Sequence, residues 1–140
     1  MSGLSDIPVE VNAADQPPSP ALLALLEELK SMLEQLARQG VSDRIDIRSL
    51  PFLPGDYEQL ERILGDGEVN VTIDSLGPST IRETAIPGIW WTTHRNADDE
   101  ILTELIEVTE LPDLLKTPQE DIVEAPARLQ KILQQLASDD

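Results

Sequence analysis

Apolar side chains recur at helical spacing near the start of the chain. Charged residues fill the positions between them, and such a stripe is typical of an amphipathic helix that packs on a core. Ser19 suits the N-cap, Pro20 the first helical position and Gly40 the stop. The pattern therefore predicts a helix of about five turns. Its apolar positions are Leu22, Leu25, Leu26, Leu29, Met32, Leu33 and Leu36.

The middle of the chain predicts a series of strands, because apolar and polar residues alternate there. Pro87 and Gly88 interrupt the longest strand. Since proline lacks a ladder donor and glycine favours a bulge, we expect that strand to bend at them. Short turns join the later strands, which indicates an antiparallel meander. The predicted strands cover residues 44–48, 67–75, 80–93 and 101–111.

The end of the chain predicts a last helix. Thr117, Pro118 and Glu120 have the form of a capping box with proline at the first helical position. Pro126 should break or kink the segment, because an interior proline loses a hydrogen bond. An apolar stripe follows, made of Leu129, Ile132, Leu133 and Leu136.

These elements predict an α+β fold. A short helix over 56–64, with Leu60, Ile63 and Leu64 turned inward, lies between the first two strands. Helices come before and after the strands in the sequence. This order favours an antiparallel sheet, a meander, with amphipathic helices packed on one face.

The predicted domain organisation is simple. Residues 1–18 are expected to be a flexible leader, because they hold scattered polar residues, glycine and prolines. Residues 19–140 are expected to form a single α+β domain, a size that suits one core.

The charge balance is strongly acidic. The chain has 27 aspartates and glutamates but 10 lysines and arginines, a formal net charge of -17. Such a surface repels phosphate backbones and anionic headgroups, so nucleic acid and membrane are poor partners. A basic protein segment would be attracted. Solubility alone is the competing explanation, because net charge by itself is weak evidence for a partner.

Residues that commonly carry chemistry are sparse. The absence of cysteine excludes disulfides, thiolate nucleophiles and zinc-thiolate sites. The one histidine, His94, is expected in a solvated turn, and no serine has the context of a nucleophile elbow. The acidic run at 98–100 lacks the spacing of a calcium loop. We therefore predict no catalytic, cofactor-binding or metal site, and we expect the protein not to be an enzyme.

The start of the sequence has no basic and apolar signal pattern. No stretch approaches the ~20 apolar residues of a membrane span. A cytoplasmic location is the resulting expectation.

Two adjacent tryptophans, Trp90 and Trp91, carry the clearest binding signal. Neighbouring strand residues point to opposite faces, so only one of the two rings can enter a core beneath the helices. The other would lie on the open face of the sheet as an anchor for a partner. The competing interpretation is that the terminal helix or the leader covers it.

Several ordered motifs resemble the HupH/HyaF family of hydrogenase expression/formation proteins. The segments Gly67-Glu68-Val69 and Thr84-x-x-Pro87-Gly88-x-Trp90 carry most of the likeness, which runs from about residue 44 to 137. The other matching segments are Leu50-Pro51, Pro54-Gly55-Asp56, Ile106-Glu107-Val108 and Leu111-Pro112.

The resemblance implies an accessory protein of nickel–iron hydrogenase maturation. Such a protein would act as a chaperone that binds a hydrogenase subunit, above all the precursor of the iron–sulfur small subunit, or another maturation factor. The resemblance implies no enzymatic activity and no cofactor. Together with the strand argument, it makes Glu83, Gly88, Trp90 and Trp91 the candidate protein-binding residues.

Other functions remain open at this point. Family members are often longer, in some cases with two related halves, so the chain acts either alone or as a homodimer. The alternatives to a chaperone are a small metal- or ligand-binding factor and an architectural dimerisation module.

Overall fold

A computed structural model describes residues 16–74 and 77–139 of the protein. The chain divides into two compact units, Met1–Glu110 and Leu111–Asp140. Most of the predicted leader lies outside the described residues, and a single domain over 19–140 stays a prediction.

The first unit holds two helices and five strands among its described residues. A 3-10 turn, Ile47–Ser49, follows the first strand. In chain order the elements are α1 (Pro20–Gln39), β1 (Asp43–Asp46), α2 (Asp56–Leu64), β2 (Asn70–Asp74), β3 (Pro78–Glu83), β4 (Ile89–Arg95) and β5 (Ile101–Val108).

In the described part of the chain, these strands form one sheet in the order β1-β5-β4-β3-β2. Every neighbouring pair is antiparallel. Strands β2 to β5 follow one another as a meander, and β1 pairs with the outer edge of β5. At the centre, Trp91 lies opposite Ile106 of β5 and Arg82 of β3. The predicted α+β class with an antiparallel sheet is confirmed.

Helices α1 and α2 cover one face of this sheet. Helix α1 has the predicted ends: the Ser19 side chain accepts the N–H of Leu22, and Gly40 is left-handed with a φ of 69°. Burying an apolar side chain contributes about 1.5–3 kcal/mol, so the shared apolar layer holds the helices on the sheet. This layer includes Leu22, Leu25, Leu29, Met32, Leu60, Leu64, Ile89, Trp91, Ile106 and Val108.

The sequence predicted one bent strand over residues 80–93, but this segment is not a single strand. It forms the hairpin of β3 and β4, whose connecting loop reverses the chain. In this loop the Thr84 hydroxyl donates to the carbonyls of Ile86 and Ile89. Gly88 adopts a φ of 91°, a conformation that glycine takes without steric cost. The proline and glycine therefore mark a turn rather than a bulge.

Two smaller expectations also differ from the structure. Strand β1 ends at Asp46, because the Asp46 carboxylate accepts the N–H of Arg48 and begins the 3-10 turn. Ile63 was expected to point inward but is 44% exposed, although Gln59 and Leu60 on the same helix are buried.

The second unit contains a 3-10 turn, Asp113–Leu115, and helix α3, Gln119–Ser138. The predicted capping box is absent, because the helix starts one residue later and its N-cap is Pro118, which has no side-chain oxygen. The helix runs through Pro126 without a break. None of its side chains that the structure describes is buried.

Candidate docking surface

An apolar groove of about 390 Å³ runs beside helix α1. We call it the α1 groove. Helix α1 forms one side, and the end of α2 together with the β3–β4 loop forms the other. The lining residues are Leu26, Leu29, Lys30, Leu33, Glu34, Ala37, Leu64, Ile86 and Ile89.

The α1 stripe is wider than the core requires. Leu22, Leu25 and Leu29 face the sheet and are buried. Leu26 and Leu33 are only partly buried and lie beside that core row. Because residues three and four apart share a helix face, this second row continues along α1 and forms the apolar side of the groove.

The β3–β4 loop forms the opposite wall and is tightly held. Buried Thr84 donates to the carbonyls of Ile86 and Ile89 and accepts the N–H of Ile86. Gly88 lies against α1, since a Cβ there would come within 3.1 Å of Leu33 Cδ2. The wall is thus preorganised, and the residues of the family-like motif are what shape it.

Glu83 ties this loop to the segment before β2. Its carboxylate accepts the N–H of Glu68 at 3.2 Å, and its carbonyl accepts the N–H of Gly67 at 2.8 Å. A Cβ on Gly67 would lie 2.6 Å from the backbone carbonyl oxygen of Thr84, so this approach requires glycine. On the other side, Ala85 donates its N–H to the carbonyl of Leu64.

The two tryptophans point to opposite faces of the sheet, as strand alternation predicts. Trp91 is buried beneath the helices, where its ring is edge-on to Tyr57 at 5.5 Å. Trp90 lies on the other face but is only 5% exposed, and its Nε1–H donates to the carbonyl of Thr109 at 3.1 Å. Neither ring forms the exposed anchor that we expected, and a role for either in binding stays a prediction.

The four predicted binding residues therefore do not form one surface patch. Gly88 lies next to the α1 groove through its contact with Leu33. Glu83 and the tryptophans lie in or beside the strands that hold the loop.

A buried carboxylate lies between α2 and the sheet. Glu104 is 5% exposed, and its Oε2 accepts three hydrogen bonds. The donors are Tyr57 Oη at 2.6 Å, Trp91 Nε1 at 2.9 Å and Thr93 Oγ1 at 3.2 Å. These donors replace the water that the carboxylate loses on burial. We call these four residues the Glu104 cluster.

Charged side chains surround this cluster. The Arg82 guanidinium lies 4.8 Å from the Trp91 ring centroid and pairs with Glu61 at 3.2 Å. Burial and the hydrogen bond to Glu104 raise the pKa of Tyr57, which keeps its hydroxyl protonated as a donor. Burial also raises the pKa of Glu61, and Arg82 partly opposes this rise.

His94 and the acidic run form no common site. His94 lies within β4, not in a turn, and its Nδ1 is 3.0 Å from the hydroxyl of Ser79. In the turn after β4, Asn96 Oδ1 accepts the N–H groups of Asp98 and Glu100. Within 16–74 and 77–139, no three potential metal-ligating side chains come together. No helix in those ranges is both long and apolar enough to cross a bilayer.

Sequence reasoning missed the α1 groove. It assigned the whole α1 stripe to the core and gave Ile86 no role. The available signal was the width of the stripe, because adjacent positions such as Leu25 and Leu26, or Met32 and Leu33, lie about 100° apart around a helix, so one residue of each pair lies at the edge of the packed face.

Known proteins are similar to this chain in sequence and in fold. Residues 21–136 match the family described as HupH hydrogenase expression protein, C-terminal conserved region. The hydrogenase expression/formation protein HoxQ of Azotobacter vinelandii is 32% identical over 117 residues, which cover 84% of this chain and 41% of HoxQ. HupQ of Azotobacter chroococcum is 34% identical over 117 residues, which cover 40% of HupQ. The chain thus spans about two fifths of the length of these relatives.

A solved structure has the same fold over nearly its whole length. The hydrogenase expression protein HupH from Thiobacillus denitrificans is 42% identical and aligns with a TM-score of 0.79. The alignment covers 85% of this chain and 99% of that one. With the family match over most of the sequence, this likeness shows that the chain belongs to the HupH family of hydrogenase expression proteins.

Proposed function

We propose that this protein is an accessory protein of nickel–iron hydrogenase maturation. In this proposal it acts as a chaperone, and its α1 groove binds an apolar segment of the precursor of the iron–sulfur small subunit. The names of the relatives, hydrogenase expression/formation proteins, support the process. The single observation that carries the mode of binding is a preformed aliphatic groove on a chain with a net charge of -17.

The size of the α1 groove suits a few aliphatic side chains. Burying one such side chain contributes about 1.5–3 kcal/mol. Three side chains would therefore contribute about 4.5–9 kcal/mol, which can offset the loss of translational freedom but leaves only weak binding from the groove by itself. A short helix or an extended peptide would bring its apolar residues into the groove in this way.

Charge favours a partner segment that is also basic. Lys30 and Glu34 are the charged residues that line the α1 groove, and the rest of the chain is strongly acidic. A twin-arginine signal segment combines basic residues with an apolar run, so the chain would attract it from a distance.

The candidate residues from the sequence have a supporting role in this proposal. Glu83 and Gly88 hold the loop that forms one wall, together with the motif residue Thr84, and Trp91 supports the strand behind it. They would affect binding by keeping the groove in shape rather than by touching the precursor.

The test is calorimetric titration of the full chain with the small-subunit precursor. Two groove variants are compared with wild type: Leu33→Asp places a charge in the apolar wall, and Ala37→Trp fills the groove without removing a core contact. Both should weaken binding at least about tenfold, because a loss of 1.4 kcal/mol already has this effect. The matched control is Leu102→Asp, an exposed leucine on β5 that does not line the groove.

The outcomes separate the alternatives. If all variants bind with equal affinity, the binding site lies outside the α1 groove. If wild type does not bind the precursor, the partner is another maturation factor or the function is different. Stabilisation by nickel, iron or a nucleotide in a thermal-shift screen, without precursor binding, would favour the metal- or ligand-binding factor.

Ionic strength tests the contribution of charge. Affinity should fall as salt rises from about 50 to 500 mM, because the attraction between exposed charges is screened. If the affinity does not change with salt, the net charge does not attract the partner and serves solubility alone.

A further inference from the structure

The two walls of the α1 groove favour one kind of occupant over another. Resting on the proposed function, in which the groove binds an apolar segment of the small-subunit precursor, we propose that this segment binds as a helix. The bound helix lies along α1, turns its apolar residues into the groove and carries basic residues along the edge that faces the acidic side of α1. An extended peptide is the alternative that the walls disfavour.

The backbone of the loop wall is already hydrogen-bonded within the protein. Ile86 donates its N–H to the Thr84 hydroxyl, and its carbonyl accepts the N–H of Ile89 at 3.1 Å. The carbonyl of Ile89 accepts the N–H of Thr84 at 3.0 Å. The carbonyl of Leu64 accepts the N–H of Ala85 at 2.8 Å. These lining residues therefore present side chains to an occupant, while their backbone groups are engaged elsewhere.

The wall formed by α1 has the same property. Leu26, Lys30 and Leu33 lie inside the helix, where N–H and C=O groups bond to one another. An extended peptide obtains much of its affinity from main-chain bonds to a free strand edge. In this groove such a peptide would bury amide groups without partners, which is costly. A helix avoids that cost because its backbone bonds are internal.

The groove residues of α1 have the spacing of a helix-packing surface. Leu26, Lys30, Leu33 and Ala37 follow one another at steps of four, three and four residues. Positions with this spacing form one row along a helix and interdigitate with a second helix. Lys30 suits the row because its aliphatic stem packs on apolar surface while its amine stays in water. The row is about 17 Å long, which matches about three turns of a partner helix.

A neighbouring row of α1 supplies charge for the edge of the occupant. Glu27 and Glu34 are exposed, and each follows a groove residue directly in the sequence. Seven residues are nearly two turns, so both glutamates lie on one side of α1, about 90° from the groove row. Arg38 contacts Glu34 at 3.4 Å, but both side chains are at least half exposed, so this pair is weak and exchanges readily. Acidic residues beside an apolar row pair with basic residues of a partner helix, as at the edges of a coiled coil.

Calorimetric titration of the full chain with full-length precursor variants tests the conformation of the bound segment. Each residue of the precursor's apolar run is changed in turn to alanine. A helical segment should give sensitive positions three and four residues apart, whereas an extended segment gives every second position. Each sensitive position should lose about tenfold or more in affinity, which corresponds to about 1.4 kcal/mol.

Proline substitution in the precursor is an independent test. At a position where alanine has no effect, proline should weaken binding at least about tenfold, because it removes a helical hydrogen bond and clashes with the preceding turn. The alanine variant at that position is the matched control. An extended segment would tolerate this proline, since its N–H groups have no partner in the groove.

Charge reversal on α1 tests the preference for a basic edge. A variant that carries Glu27→Lys and Glu34→Lys should bind the precursor about fivefold more weakly than wild type at low salt, because two ion pairs become repulsive. The matched control carries Glu28→Lys and Glu110→Lys, which change the net charge equally at exposed positions away from the groove row. This control should bind more tightly than the groove-edge variant.

The outcomes separate this inference from the proposed function. If the wild-type precursor does not bind, or if Leu33→Asp does not weaken its binding, the proposed function fails and the helical occupant fails with it. If the precursor binds through the groove but the sensitive positions alternate, or proline is tolerated, the proposed function stands and the helical occupant is wrong. Equal affinities of the two charge variants would remove the basic edge from the proposal.

Discussion

At the scale of single residues, the Glu104 cluster joins parts of the chain that are far apart in sequence. Tyr57 comes from α2, Trp91 and Thr93 come from β4, and the carboxylate comes from β5. Each of the three donors reaches the same oxygen atom. A buried carboxylate is costly unless it is hydrogen-bonded, so the cluster stabilises the fold only as a complete set.

Removing the acceptor should therefore cost more than removing one donor. We expect Glu104→Ala to lower the free energy of unfolding by about 3–5 kcal/mol, because three buried donors lose their partner. Tyr57→Phe should cost about 1–2 kcal/mol, since two donors remain on the carboxylate. Urea denaturation measures both values. The control is Glu110→Ala at an exposed position, and equal losses in Glu104→Ala and the control would contradict the argument.

At the scale of elements, one shared contact connects the starts of α1 and α2. Ser19 Oγ accepts the N–H of Leu22 and donates to Asp56 Oδ2 at 2.8 Å. The same Asp56 oxygen accepts the N–H of Leu53 at 2.8 Å. Asp56 is buried in the first turn of α2, where a negative charge is favourable to the helix dipole.

The two side chains should behave as a coupled pair. Ser19→Ala should lower the free energy of unfolding by about 1 kcal/mol, the usual cost of losing an N-cap. Asp56→Ala should cost about 2–3 kcal/mol, because it leaves two donors without their acceptor. In chemical denaturation the double variant should lose less than the sum of the single losses. Ser31→Ala, an exposed position within α1, is the control, and strict additivity would show that the contact between the two residues is energetically unimportant.

At the scale of the whole molecule, the net charge of -17 opposes compactness. Like charges repel one another across the surface of a folded chain more strongly than in an expanded one. The surrounding ions screen this repulsion over a distance of about 10 Å at 0.1 M salt. Stability should consequently depend on ionic strength even without any partner.

We expect the melting temperature to rise by a few degrees between about 20 and 300 mM sodium chloride. Differential scanning calorimetry measures the shift. A variant that carries Glu27→Gln and Glu28→Gln on the exposed side of α1 should show a smaller rise, since it has less repulsion to screen. A melting temperature that does not change with salt in either protein would show that the acidic surface does not destabilise the fold.

Features set by short stretches of sequence were predictable. The ends of α1 depend on Ser19, Pro20 and Gly40, whose effects act within one turn. The meander follows from strand alternation and short turns. The opposite directions of Trp90 and Trp91 follow from the period of a strand. The family resemblance also came from local motifs, and the match over residues 21–136 confirms it.

Features that join distant residues were not predictable from one sequence. The α1 groove needs Leu33 of α1 beside Ile86 of a loop more than fifty residues later. In the Glu104 cluster, the hydrogen bond from Tyr57 to Glu104 joins residues that are 47 positions apart in the sequence. Trp90 is buried although alternation places it away from the helices.

The sequence by itself determined the local geometry of this protein: where the helices begin and end, which residues share a face, and how acidic the surface is. These properties depend on neighbours within a few positions. The tertiary structure alone decided that Pro87 and Gly88 close a hairpin, that part of the α1 stripe lies outside the core, and which donors meet Glu104. Those outcomes depend on how sheet and helices share a limited surface, and no stretch of sequence carries that information by itself.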